Sequence, residues 1–82
     1  MASYNIVFKT SVAARLHAFP NSDVKRILER IDQLAENPRP KDAKQLVGDE
    51  KYRVQYGRYR ILYAIQNNQI IIATLKAGRH TS

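Results

Sequence analysis

The 82-residue chain has no cysteine and no tryptophan, and only three glycines and two histidines. Without cysteine it can build neither a disulfide framework nor a thiolate metal site, and a reducing cytoplasm suits it. His17 and His80 stand far apart, so no histidine pair has metal-ligand spacing and no metal is expected. The glycines, at 48, 57 and 78, compose no GxGxxG or P-loop pattern, and no GxSxG elbow occurs, so no cofactor is expected. No apolar run approaches the roughly 20 residues that cross a bilayer, and MASYNIVFKT lacks the apolar centre of a signal peptide. These absences describe a soluble, cytoplasmic protein with no membrane role.

Negative charge is scarce as well. Seven Asp and Glu face fourteen Lys and Arg, for a net charge of +7 and a pI near 10.1. Such a balance favours a polyanionic partner, although it carries no information about fold. The length suits one domain over residues 1–82 with one modest core.

Tyr4 to Phe8, YNIVF, is a short β-rich run. Thr10 or Ser11 is expected to cap a brief helix through VAARLHAF, closed by Pro20, which disfavours helical geometry at Phe19. Asn21 or Ser22 is expected to cap a second helix. In it Val24, Ile27, Leu28, Ile31, Leu34 and Ala35 recur at the three-and-four spacing of one buried stripe. Asn37-Pro38 and Pro40 end it, and a polar connection runs to about Lys51.

YRVQYGRYRILY, Tyr52 to Tyr63, then alternates as a hairpin does. A Gly57-Arg58 turn sets Gln55 opposite Arg60 and Arg53 opposite Leu62. Asn67-Asn68 makes a second tight turn, and QIIIATLK returns as the last strand. The expected fold is α+β, two N-terminal helices on a small, mainly antiparallel four-stranded sheet in the order β-α-α-β-β-β. In regular pairing Val54, Tyr56, Ile61, Tyr63, Ile65, Ile70 and Ile72 face the helices. The opposite face carries Arg53, Gln55 and Arg60 at one end, and an apolar patch with Leu62, Ile71 and Leu75 that nothing in the chain covers.

Guanidinium groups on a sheet surface suit phosphate, because they offer paired donors and stay charged. Tyr52, Tyr56 and Tyr59 could stack on bases, but Tyr56 and Tyr59 read better as cross-strand core partners. Metal-free RNA cleavage needs help in removing the 2′-hydroxyl proton, stabilisation of charge on the phosphate, and a proton for the leaving oxygen. His80 is the candidate proton carrier, and Arg53 and Arg60 are candidates for electrostatic work. Lys76 and Arg79 close the last strand nearby. His17 reads as a surface or packing residue, and Lys25, Arg26 and Arg30 as the solvated face of the second helix.

The element order, the NPRP helix end, the L-x-G at Leu46 to Gly48, the run YRV…G.YRILY and the closing KAGRH at Lys76 to His80 together resemble the RelE/ParE toxin superfamily of toxin-antitoxin modules. The match covers nearly the whole chain. RelE-branch members cut mRNA in the ribosomal A site and are neutralised by an antitoxin. The resemblance therefore implies a metal-independent endoribonuclease working on ribosome and mRNA, held in a hetero-oligomer by a RelB-like antitoxin. By position it implies catalytic roles for Arg53, Arg60, Arg79 and His80, and RNA contacts for Gln55, Arg58 and Lys76. The uncovered patch of Leu62, Ile71 and Leu75 would receive the antitoxin. Two departures stand out. Gln55 occupies a lysine position of the family, and no aromatic residue follows His80 in these 82 residues. A ParE-like inhibitor of DNA gyrase and a non-catalytic antitoxin-binding module therefore remain open.

Overall fold

The computed structural model describes residues 4–46 and 50–78. The chain runs β1 (Asn5–Phe8), α1 (Thr10–Leu16), α2 (Asn21–Glu36), β2 (Lys44–Gln45), β3 (Lys51–Tyr56), β4 (Tyr59–Gln66) and β5 (Gln69–Ala77). The five strands form one sheet in the order β1-β5-β4-β3-β2. β1 is parallel to β5 and the other pairs are antiparallel.

The α+β class is as expected, with one strand more than the four expected. β2 is only two residues long, Lys44 opposite Arg53 and Gln45 opposite Tyr52, inside a polar segment with no alternation to announce it. The helix starts also differ. Lys9 and Pro20 occupy the cap positions with no side-chain cap hydrogen bond, so each helix begins one residue before the earliest expected start. Val24 N–H instead donates to the Pro20 carbonyl at 3.0 Å.

Both turns form as read. Gly57 sits at φ +59°, a conformation that costs glycine little, and Asn67 at φ 53°. Gln55 faces Arg60, Arg53 faces Leu62, and Gln66 faces Gln69. Ile27, Ile31 and Leu34 of α2, with Val12 of α1, cover Val54, Ile61, Tyr63, Ile70 and Ile72, all at most 1% exposed. Leu28 departs from the expected stripe and is 37% exposed.

The main correction lies in β5. Leu62 pairs with Thr74 but Tyr63 pairs with Ile72, so Ala73 has no partner and the strand bulges. One extra residue inverts the facing of everything beyond it. Leu75, expected on the uncovered face and assigned there to antitoxin binding, is instead 1% exposed in the core opposite Ile61. Thr74 takes the outward position, and Lys76 comes to lie outward, opposite Arg60.

Candidate functional site

Partners in a ladder share a face, so the register fixes which side chains stand together on the sheet surface away from the helices. One row runs Val7, Ile71, Ala64, Lys51 across β1, β5, β4 and β3. The next holds Thr74, Leu62, Arg53 and Lys44, with Lys9 just beyond β1. A third holds Lys76, Arg60 and Gln55. Alternate residues on a strand are about 7 Å apart, so Arg53 and Arg60 occupy neighbouring rows. Arg60 and Lys76 are exposed and Arg53 is half-buried.

No carboxylate stands among these outward strand positions. Four of the six described carboxylates, Asp23, Glu29, Asp32 and Glu36, lie on α2. Asp42 pairs with Arg30, and Glu50 pairs with Arg39 at 2.9 Å. The Glu50 carboxylate is engaged a second time: it also accepts from the Tyr52 hydroxyl at 2.8 Å. That hydroxyl, then the Arg39 guanidinium, holds the Glu50 carboxyl below the usual carboxylate range. Among the described residues neither Arg53 nor Arg60 forms an ion pair. With no metal-ligating cluster of three or more His, Cys, Asp or Glu among the described residues, this face is a field of fixed cations.

The clasp that occupies Glu50 also fixes the connection after α2. Arg39 Nε donates to Tyr52 Oη at 2.9 Å, and its guanidinium lies 5.7 Å from the Tyr52 ring centre. The Tyr52 ring stacks on Tyr63 at 5.7 Å, and the Tyr63 hydroxyl donates to the Pro38 carbonyl at 2.7 Å. Burial pushes the Tyr63 hydroxyl up to about 12. The NPRP turn is thereby pinned to the centre of the sheet.

The expected site residues meet in part. Arg53, Arg60 and Lys76 converge. Gln55 shares their face, but its amide donates to the Gly57 carbonyl at 3.2 Å, tying it to the turn. Arg58 is elsewhere: its guanidinium lies 5.4 Å from the ring centre of Tyr59, which packs on Phe19 at 5.1 Å and donates to Asp23. That places Arg58 on the helix side of the hairpin, away from the other cations. Tyr59 is buried and pairs with Tyr56, as cross-strand core partners would. His17 is exposed, beside the shallow groove between the helices. Arg79 and His80 lie outside the described residues. Gly78 precedes them, with its N–H on the Arg58 carbonyl; a Cβ there would stand 3.1 Å from that oxygen.

Leu62 and Ile71 are half-buried on the outer face, in a groove of about 510 Å³ that Lys9 and Lys51 also line. Neither of these lysines, nor Lys44, was singled out from sequence. Lys51 stands two residues before Arg53, so strand alternation alone could have found it.

No described helix is long and apolar enough to cross a membrane. The fold has close counterparts. It superposes on RelE in the archaeal RelE-RelB complex from Pyrococcus horikoshii with a TM-score of 0.81 and 26% identity, covering 96% of this chain and 99% of that one. A chain of the RelBE2 toxin-antitoxin complex of Mycobacterium tuberculosis gives 0.80 at 22% identity, over 93% and 99% of the two chains. The isolated E. coli RelE toxin gives 0.83 at 14% identity, over 96% and 88%. In sequence the chain is 36% identical over 80 residues to a protein of Methanocaldococcus jannaschii provisionally named toxin RelE1, covering 93% of this chain and 89% of that protein. The family model described as ParE toxin of type II toxin-antitoxin system, parDE, matches residues 6–81, and with that relative it shows that the chain belongs to the RelE/ParE family of type II toxins.

Proposed function

We propose that this toxin inhibits translation by cutting mRNA on the ribosome, without a metal, and that a cognate antitoxin neutralises it in the cytoplasm. The observation that carries the reading is the convergence of Arg53, Arg60 and Lys76 on one sheet face, where no carboxylate stands at the described outward strand positions. In the cleavage step the 2′-hydroxyl oxygen attacks the adjacent phosphorus, the bond to the 5′-oxygen breaks, and a 2′,3′-cyclic phosphate and a 5′-hydroxyl result. Arg60, with Arg53 one row away, stabilises the charge that builds on the phosphate oxygens. As always-charged groups they take no proton. His80 is the group in the closing segment suited to carry the proton from the 2′-oxygen to the leaving 5′-oxygen. Arg79 adds charge there.

An antitoxin fits the same reading. The cognate partner would be a RelB-like acidic segment that folds on contact, seated over Leu62 and Ile71 and screening Arg53 and Arg60 from RNA. Leu75, buried beneath β5, is not part of that surface.

Expression followed by primer extension on a reporter mRNA should reveal new 5′ ends within codons. Arg60→Ala should lower cleavage at least on the order of a hundredfold, the scale of losing one electrostatic stabiliser. Its cooperative melting should persist, because the side chain is exposed. The match to a ParE family model favours one second reading, inhibition of DNA gyrase. Intact mRNA with accumulated gyrase-linked DNA breaks would establish that reading instead.

A further inference from the structure

The cations of the outer face fall into two groups. Arg60 and Lys76 stand toward the Gly57 turn with Arg53 one row behind them, while Lys9, level with the Arg53 row beyond β1, and Lys51, one row further from the turn, line the groove. The proposed chemistry uses only the first group. Lys9 and Lys51 are exposed, and among the described residues neither makes an ion pair, so nothing in the described fold needs their charge. β5 and β4 lie between them and they stand one row apart along the strands, which sets their backbones about 16 Å apart on opposite rims. Between the rims lie Leu62, Ala64, Ile71 and Thr74.

The geometry points to a second RNA subsite, in which Lys9 and Lys51 hold phosphates on the two rims while the base between them rests on the Leu62, Ala64 and Ile71 floor. The proposal takes its ligand class, single-stranded RNA, from the ribonuclease reading. The two lysines favour a nucleotide, because the rims carry charge for phosphates while the half-buried floor leaves apolar surface open to a base. A flat base needs only one layer. Every base has an apolar face, so the slot would be sequence-tolerant. Lys51 stands two residues from Arg53 on the same strand face, about 7 Å, the scale of one extended nucleotide. The subsite would therefore hold the nucleotide adjoining the scissile phosphate.

The test uses a fluorescent 2′-O-methyl RNA pentamer, which has no 2′-hydroxyl to attack and reports binding alone. Its affinity is followed by anisotropy against salt. Each phosphate contact on a single strand contributes about 0.7 to the slope of log K against log salt. Lys9→Gln with Lys51→Gln should therefore flatten the slope by about 1.4 and weaken binding at low salt. Lys25→Gln with Arg26→Gln removes the same net charge from the exposed side of α2 and should leave the slope nearly unchanged. Thermal melts check that both double variants fold. Equal slopes for the two, or an unchanged slope in the Lys9 and Lys51 variant, would overturn the subsite. If that variant binds the pentamer normally but loses a Glu-rich amphipathic peptide, the groove is a protein site and the proposal is equally wrong. Absence of mRNA cleavage with a normal slope in the wild type, flattened in the variant, would remove the ribonuclease reading and leave the subsite standing.

Discussion

Leu75→Ala tests the bulge in β5 directly. Were the β4–β5 ladder regular, Leu75 would face outward and its truncation would cost little, since surface substitutions away from special features stay within about 0.5 kcal/mol. With Ala73 unpaired, Leu75 is instead 1% exposed opposite Ile61. Leu→Ala at such a site costs about 2–5 kcal/mol, depending on how far the cavity collapses. A domain of this length holds only about 4–12 kcal/mol in total, so the variant should lose a sixth or more of its stability. The melting temperature should drop by about 8 °C or more, at 4–8 °C per kcal/mol for small domains. Thr74→Ala is the internal control: the bulge turns this residue outward, and its loss should shift the transition far less. Urea unfolding followed by circular dichroism, with both variants fitted at a common slope, reads the difference. A Leu75→Ala cost no larger than that of Thr74→Ala would refute the bulge, restore Leu75 to the outer surface, and move Lys76 away from Arg60.

Deleting Ala73 probes the same feature from the other side. Removing the unpaired residue leaves Ile72 and Leu75 inward and Thr74 and Lys76 outward, so the deletion should keep a cooperative melt, whereas a molten product without one would show that Ala73 is not the inserted residue. Tyr63 gives a pH prediction. Its hydroxyl, with a folded value of about 12 against about 10 in an unfolded chain, favours the neutral form in the fold. That contribution is complete below pH 10 and fades as pH rises from 10 through 12, by about 2–3 kcal/mol in all. Tyr63→Phe should flatten the alkaline loss in urea titrations, and an equally steep loss in the variant would place its cause elsewhere.

Where two turns fixed the pairing, the fold was legible in the sequence. Gly57-Arg58 and Asn67-Asn68 set the β3–β4 register and the first half of β4–β5, because glycine and asparagine accept the positive φ that tight turns need. Two things escaped. β2 is too short for any periodic signal, and its two residues are defined only by their partners Arg53 and Tyr52. The bulge left a trace that regular alternation overrode. The buried positions of β5 are Ile70, Ile72 and Leu75, so the spacing changes from two to three, and the polar Thr74 and Lys76 follow the altered phase. Reading IIIATLK with strict period two buries a lysine and exposes a leucine. That conflict with burial preference was the available clue.

The same irregularity accounts for part of the candidate site, and this bears on why a hairpin so rich in arginine is stable at all. Alternation alone sends Arg53 and Arg60 to the face away from the core, so their charges are never desolvated by the helices. The bulge then does two things at once. It withdraws Leu75 from solvent into the core, and it turns Lys76 out beside Arg60. Like charges crowded on one face repel, and among the described residues no outward carboxylate offsets them, since these lie on α2 or are held by Arg30 and Arg39. Concentrating cations without neutralising partners destabilises the isolated fold, yet it gives the surface a directional field that a diffuse net charge would not. An anion lying on the sheet would relieve that repulsion, whereas an anion on α2 would meet four carboxylates. The extra leucine in the core offsets some of the cost of the extra lysine on the surface. A one-residue slip in β5 would therefore remove a core contact and a site cation together.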